Sequence, residues 1–178
     1  MSPAPSLDHQ RIALRIAAAL ELYFDDVRTG EVFIAPVDVE LSNFDVIEPD
    51  VVVVLDANAS IKHKRRIVGA PDIVVEVIFP SSAKRDRVRK AALYAINGVR
   101  EYWLVDPERN MFEVLVLHRG NYAALRQPEG FVQSQVLDGF HVQVVGRLVQ
   151  DEQIRGVEQH LGQLQAPALA AGQGAHRA

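Results

Sequence analysis

Ile12, Ile16 and Leu20 recur at fourfold spacing, which predicts an amphipathic helix over residues 8 to 24 with Asp8 able to cap its first turn. The period then changes. Val37, Val39 and Leu41 alternate with Asp38 and Glu40, so residues 32 to 41 read as a half-exposed strand. Val46 to Leu55 and Ile73 to Phe79 are near-continuous apolar runs, the pattern of strands covered on both faces, and belong at the centre of a sheet. Ser82 can cap a second helix of about four turns that ends before Gly98, a residue suited to a helix C-terminus. Tyr102 to Val105 follows as a strand, and the turn-forming Asp106-Pro107-Glu108-Arg109-Asn110 joins it to Met111 to His118 in a hairpin. Gly120-Asn121 offers another turn. Residues 122 to 149 then carry only short alternating segments, among them Val142, Val144 and the Leu148 region, and from about Gln159 the chain becomes rich in Gln, Ala and Gly. The expectation is an α/β fold: a central mixed β-sheet flanked by helices, with additional C-terminal strands, in one domain over residues 1 to 158 and a loose tail over 159 to 178.

Chain connections place the acidic residues of the central strands. A helix between the Ile73 strand and the Tyr102 strand makes a right-handed crossover, so those two strands are parallel. The polar loop 56 to 70 instead joins the Val51 and Ile73 strands as an antiparallel hairpin. With the loop centred on residue 63, paired residues sum to 126, which sets Asp50 opposite Glu76 on one face. Neighbouring strands lie about 4.8 Å apart, so this register lets two carboxylates chelate one ion. Asp72 shares the face of Glu76 but lies about 13 Å along the strand. It reads as the start of the strand, with metal ligation the lesser alternative. Lys90 lies about 12 Å into the returning helix and Glu76 about 10 Å back along its strand, which brings the two level. An ammonium there can orient an attacking water or stabilise a phosphate's charge. The structural alternative is a solvated helix row of Asp86, Lys90 and Tyr94.

Charge sharpens this picture. The formal net charge is −4, yet residues 60 to 90 hold nine cations (Lys62, Lys64, Arg65, Arg66, Lys84, Arg85, Arg87, Arg89 and Lys90) against Asp72, Glu76 and Asp86, a local +6. The rest of the chain sums to −10, from 10 cations and 20 anions. Such polarity attracts a polyanion toward an acidic pocket, and Lys62, Lys64, Arg65, Arg66, Lys84, Arg85 and Arg87 are the candidate phosphate contacts. At 178 residues, 48% apolar and 24% charged, the chain has the make-up of a single folded α/β domain. No cysteine occurs, which excludes disulfides and thiolate chemistry and permits a reducing compartment, so a cytoplasmic location is expected. Neither a signal peptide nor an apolar run of membrane-spanning length is legible, so no membrane partner is expected.

In chain order, Glu48-Pro49-Asp50, then Pro71-Asp72-Ile-Val-Val-Glu76-Val-Ile-Phe-Pro80-Ser81-Ser82, then Asp86, Lys90, Tyr94 and Gly98-Val99-Arg-Glu101-Tyr102-Trp103-Leu-Val-Asp106-Pro107 form a specific set. By that set the chain resembles the Uma-two family of restriction-endonuclease-like proteins over roughly residues 9 to 148, with His9 and Gly139-Phe140 also in keeping. The resemblance implies a restriction-endonuclease-like core of the PD-(D/E)xK superfamily and a Mg²⁺ (or Mn²⁺) phosphodiesterase site. Carried over, it assigns Asp50 and Glu76 as metal ligands and Lys90 as the catalytic cation. The wider pattern has a lysine two residues after the second acid, where this chain has Ile78, so Lys90 is the migrated candidate. Phe79 stands where the family often has Ser. Glu21 is a further candidate, since helix glutamates reach the site in some relatives.

Other chemistries find little support. The six histidines (His9, His63, His118, His141, His160, His176) show no zinc-binding spacing, and no phosphate loop or nucleophile elbow occurs. Trp103 reads as a buried sheet aromatic before a base-stacking one. The expected function is a metal-dependent DNA endonuclease that hydrolyses phosphodiester bonds with water activated by the ion, and double-strand cleavage calls for a homodimer. The alternative is a catalytically degraded nuclease fold that binds nucleic acid or protein. Titration with Mn²⁺ separates the two.

Overall fold

A computed structural model describes residues 6–79 and 85–143, apart from the side chain of Arg85. The predicted Ser82 cap, the Lys84 contact, the Val144 and Leu148 strand positions and the 159 to 178 tail lie outside the described residues.

The first helix, α1 (Leu7–Val27), is capped by Ser6, whose hydroxyl accepts from the His9 amide at 3.2 Å, rather than by Asp8. Its Ile12, Ile16, Leu20 and Phe24 stripe packs on the sheet. The strand expected over 32 to 41 is two strands, β1 (Gly30–Ile34) and β2 (Asp38–Glu40), in different sheets. Pro36, which has no amide hydrogen to give a ladder, stands between them. The 46 to 55 run breaks in the same way at Pro49 into β3 (Val46–Ile47) and β4 (Val51–Leu55). A 3₁₀ turn (Asp56–Ile61) and β5 (Arg66–Val68) occupy the connection to β6 (Ile73–Val77). The second helix is described from a wide π-type turn (Arg85–Lys90) into α2 (Ala91–Asn97). It stops at Gly98, whose φ of 90° lets its amide reach back to the Ala95 carbonyl at 3.2 Å. Then follow β7 (Glu101–Asp106), β8 (Met111–His118), β9 (Asn121–Ala124), β10 (Phe131–Gln133) and β11 (His141–Gln143).

Six strands form the central mixed sheet in the order β1-β4-β6-β7-β8-β9, with β6 and β7 parallel and the other neighbours antiparallel. The expected α/β class, the crossover and both hairpins are present. A small sheet, β3-β2-β5, and the β10-β11 hairpin lie beside it. Every residue of β6 and β7 is buried, because both faces are covered. Val51, Val53, Val75 and Val77 face the α1 side, while Val52, Val54, Val74 and Ile78 pack in the cluster that holds Tyr94 of α2. Each fully buried valine contributes about 1.5–3 kcal/mol, so a one-residue slip of β4 on β6 would be strongly opposed.

A buried carboxylate fastens the C-terminal part to the sheet. Glu101, at the start of β7, is fully buried and accepts from the Trp103 indole (2.8 Å), the Ser134 hydroxyl (2.8 Å), and the Gln135 (2.6 Å) and Val136 (3.0 Å) amides. Trp103 is therefore a core residue with its polar atom satisfied, as its sequence setting favoured.

Candidate active site

The β4–β6 ladder pairs Val51 with Val75, Val52 with Val74 and Val53 with Ile73, each sum being 126. Continued by one step, this register sets Asp50 across from Glu76 on the α2 side of the sheet. Pro49 ends the approach from β3, and the Ala35 amide donates to the Asp50 carbonyl at 3.0 Å, fixing the backbone where β4 begins. The Asp50 side chain turns inward. Its Oδ2 accepts the Val77 amide at 2.7 Å and lies 3.1 Å from His9 Nε2.

Glu76 lies in the middle of the sheet, 4% exposed. Its Oε1 is 2.6 Å from the Lys90 ammonium and accepts the Tyr94 hydroxyl at 2.7 Å. Lys90 also stands 3.4 Å from Asp86 Oδ1, so the helix row of Asp86, Lys90 and Tyr94 faces the acid rather than solvent. Burial pushes the Glu76 carboxyl up to about 7, with the Asp50 charge adding to it, against the opposing pull of Lys90 and Tyr94. The Tyr94 phenol is raised well above its usual value by burial and by Glu76, which keeps it a hydrogen-bond donor. His9 responds the other way to burial, which lowers its pKa. The hydrogen bond and charge of Asp50, with a backbone bond at Val77, outweigh this and leave it raised.

Asp50, Glu76 and Lys90 are brought together, and several other candidates are not. Asp72 sits at the opposite end of β6, where it accepts from the Leu55 amide (2.9 Å) and Asn58 (3.3 Å) and pairs with Arg100 (3.2 Å). These partners hold a hairpin end together, so Asp72 is a structural residue and not a ligand with Glu76. Glu21 is exposed and stands about 18 Å along α1 from His9, so it does not reach the site. The helix supplies His9 instead, a residue that sequence spacing does not single out. Lys62 pairs with Glu31 (2.8 Å) and Arg66 with Glu40 (3.3 Å). Arg87 pairs with Glu113 and, at 3.3 Å, with Asp106. These three cations are engaged by carboxylates, whereas Lys64 and Arg65 are exposed. Ile78, at the position of the in-strand lysine, is buried apolar core.

The donor set fits a hard divalent cation. Among the described residues no group of three or more His, Cys, Asp or Glu side chains forms a metal cluster. Mg²⁺ does not require one, since it commonly takes one or two carboxylates and completes its shell with water and phosphate. Asp50 and Glu76 supply two hard oxygens, and the hydrogen bonds described above fall on Oδ2 and Oε1 alone. A buried acid whose pKa is raised partly by a second acid is also a place where added positive charge is favourable. A cleft of about 460 Å³ opens beside Asp50, lined by His9, Gln10, Ala13, Leu14, Ile34, Ala35, Pro36 and Glu48.

A mixed sheet with α1 on one face and α2 on the other makes up the fold. It is shared with a crystal structure titled as a "putative nuclease belonging to DUF820" from Anabaena variabilis, at a TM-score of 0.65 and 16% identity, over 80% of this chain and 81% of that one. The chain belongs to the Uma2 family, described as "Putative restriction endonuclease", whose family model matches residues 1–150. No curated protein matches the chain. Among the described residues no helix is long and apolar enough to cross a membrane.

Proposed function

We propose that the chain is a Mg²⁺- or Mn²⁺-dependent DNA endonuclease of the PD-(D/E)xK type, with Asp50 and Glu76 as metal ligands and Lys90 as the catalytic cation. The observation that carries this reading is the approach of the Lys90 ammonium to within 2.6 Å of Glu76, on the acid that the strand register sets across from Asp50. When bound, the cation supplies Lewis-acid stabilisation of phosphate oxygens and activation of water. The protein's own groups do the rest. Asp50 and Glu76 hold hard oxygens at the end of a rigid two-strand ladder. Lys90, its side chain only 17% exposed, is set beside the scissile position, where low dielectric strengthens electrostatic contacts. It takes the part that an in-strand lysine at position 78 would otherwise play. Tyr94 stays protonated and holds Oε1 of Glu76. The exposed Lys64 and Arg65 are the phosphate contacts, and a homodimer brings two sites to a duplex.

A second reading, a nuclease fold turned binding module, is favoured by one observation: Ile78 fills the lysine position, while Lys90 is already engaged by two acids. Nicking of supercoiled plasmid with Mg²⁺ or Mn²⁺ tests the nuclease. Cleavage by wild type that Glu76→Gln abolishes is the expected result. No cleavage by either protein across metals and DNA forms supports the binding module.

A further inference from the structure

Asp50 is steered through one of its two oxygens. Oδ2 accepts the Val77 amide at 2.7 Å and faces His9 Nε2 at 3.1 Å, while Oδ1 takes part in neither contact. His9 is itself firmly set. Its amide is tied to the Ser6 hydroxyl, its ring stacks on Phe79 at 4.6 Å with planes 6° apart, and it is 8% exposed. The imidazole thus spans from the first turn of α1 to the ends of β4 and β6. Phe79, where a smaller residue would leave the ring without a face to stack on, keeps it from turning away.

We propose that His9 is a positioning residue for the metal site: its Nε2–H donates to Oδ2 of Asp50, so that Oδ1 is the oxygen presented to a hard divalent cation. The inference rests on Asp50 and Glu76 being metal ligands. A carboxylate at a strand end is otherwise free to rotate about its side-chain bonds, and ordering it on binding costs affinity. With His9 and Val77 on Oδ2, that ordering is done in advance. Glu76 is treated alike from the other helix, where the Tyr94 hydroxyl fixes Oε1. Anchoring α1 needs no such bond, because Ser6 caps the helix and Ile12, Ile16 and Leu20 seat it on the sheet. The acceptor chosen by the histidine therefore points to the site.

The test is calorimetric Mn²⁺ titration of wild type, His9→Ala, His9→Gln and Asp50→Asn, with a thermal unfolding midpoint for each. Loss of a group that orients a ligand typically weakens metal affinity by about 10- to 100-fold, which is the result expected for His9→Ala. The glutamine amide can donate from near the Nε2 position, so His9→Gln is expected to restore most of that loss. Wild-type affinity in folded His9→Ala overturns the proposal, and so does a loss that His9→Gln leaves in place. Should His9→Ala not fold, Phe79→Leu removes the stacking face while keeping apolar bulk. It is expected to weaken Mn²⁺ binding, and unchanged affinity overturns the proposal. Equal Mn²⁺ binding by wild type and Asp50→Asn, or none by either, overturns the metal-site reading itself, whereas a loss in Asp50→Asn beside a normal His9→Ala overturns only the role of His9.

Discussion

Lys90 and Glu76 meet at 2.6 Å across the gap between a helical turn and a central strand, with 17% and 5% of their side chains exposed. Removing the lysine strands a buried carboxylate, a change that typically costs about 3–5 kcal/mol. Lys90→Met is therefore expected to lose stability on that order at about pH 8 and much less at about pH 5, where Glu76 binds a proton instead. Urea unfolding at the two values checks this. In plasmid nicking the same variant is expected to fall about 10²- to 10³-fold, the usual loss for one electrostatic contact to the reacting group.

Glu76 also sets a pH dependence for the metal-free protein. Its folded pKa, about 7, lies above the ordinary 4.5, so the folded state binds the proton more tightly than the unfolded one. Stability is then fully present below 4.5 and is lost as pH rises through 7, by about 3 kcal/mol for a shift of this size. His9, a base with a raised pKa, acts in the same direction as pH rises through its folded value. Urea midpoints followed across this range should decline for wild type and decline less steeply for Glu76→Gln, which keeps only the part that His9 contributes. A stability that rises from pH 5 to 8 in wild type would contradict the assignment.

Tyr94→Phe removes one hydroxyl from a fully buried position and leaves ring packing in place. A hydrogen bond to a charged group is worth about 1.5–3 kcal/mol, so a loss in that range is expected where Glu76 is ionised, shrinking as it protonates. The pH contrast separates this from simple loss of packing, which would cost the same at both ends.

Lys64 and Arg65 are exposed, whereas Lys62, Arg87 and the equally exposed Arg66 are paired with carboxylates. Replacing both by alanine is expected to weaken DNA binding alike for all sequences and to reduce the salt slope by about one for each phosphate that is no longer neutralised. Anisotropy across a salt series measures it, and an unchanged slope would assign phosphate binding to other residues.

Much of the sheet's centre was legible because its determinants are local. The loop between Val51 and Ile73 fixes the sum of paired residues, and the helix before Tyr102 fixes a parallel crossover; both hold in the structure. The level meeting of Glu76 and Lys90 followed from rise per residue alone. What escaped were breaks and long-range partners. Pro36 and Pro49 interrupt patterns that hydrophobicity alone reads as continuous, because periodicity is blind to a missing amide. His9 belongs to the set that carries the resemblance, but its partner escaped because no spacing rule connects the start of a helix to a strand end reached only after the chain has crossed two sheets. Glu21, in contrast, looked suitable by residue type, but helix rise carries it far from Asp50. The Glu101 cage was hidden for a similar reason, since its donors come from residues 134 to 136.

That cage has a consequence for the order in which the protein is made. Glu101 leaves the ribosome well before Ser134, Gln135 and Val136, yet it occupies an inner strand from which water is excluded. Until the later segment arrives, its carboxyl group has, of the four donors described, the Trp103 indole alone, and the strand cannot settle into the interior without a large desolvation cost. The final closure of the central sheet is thus timed by a stretch of chain outside it, and any nascent or proteolysed fragment that stops short of residue 134 should stay open and protease-sensitive.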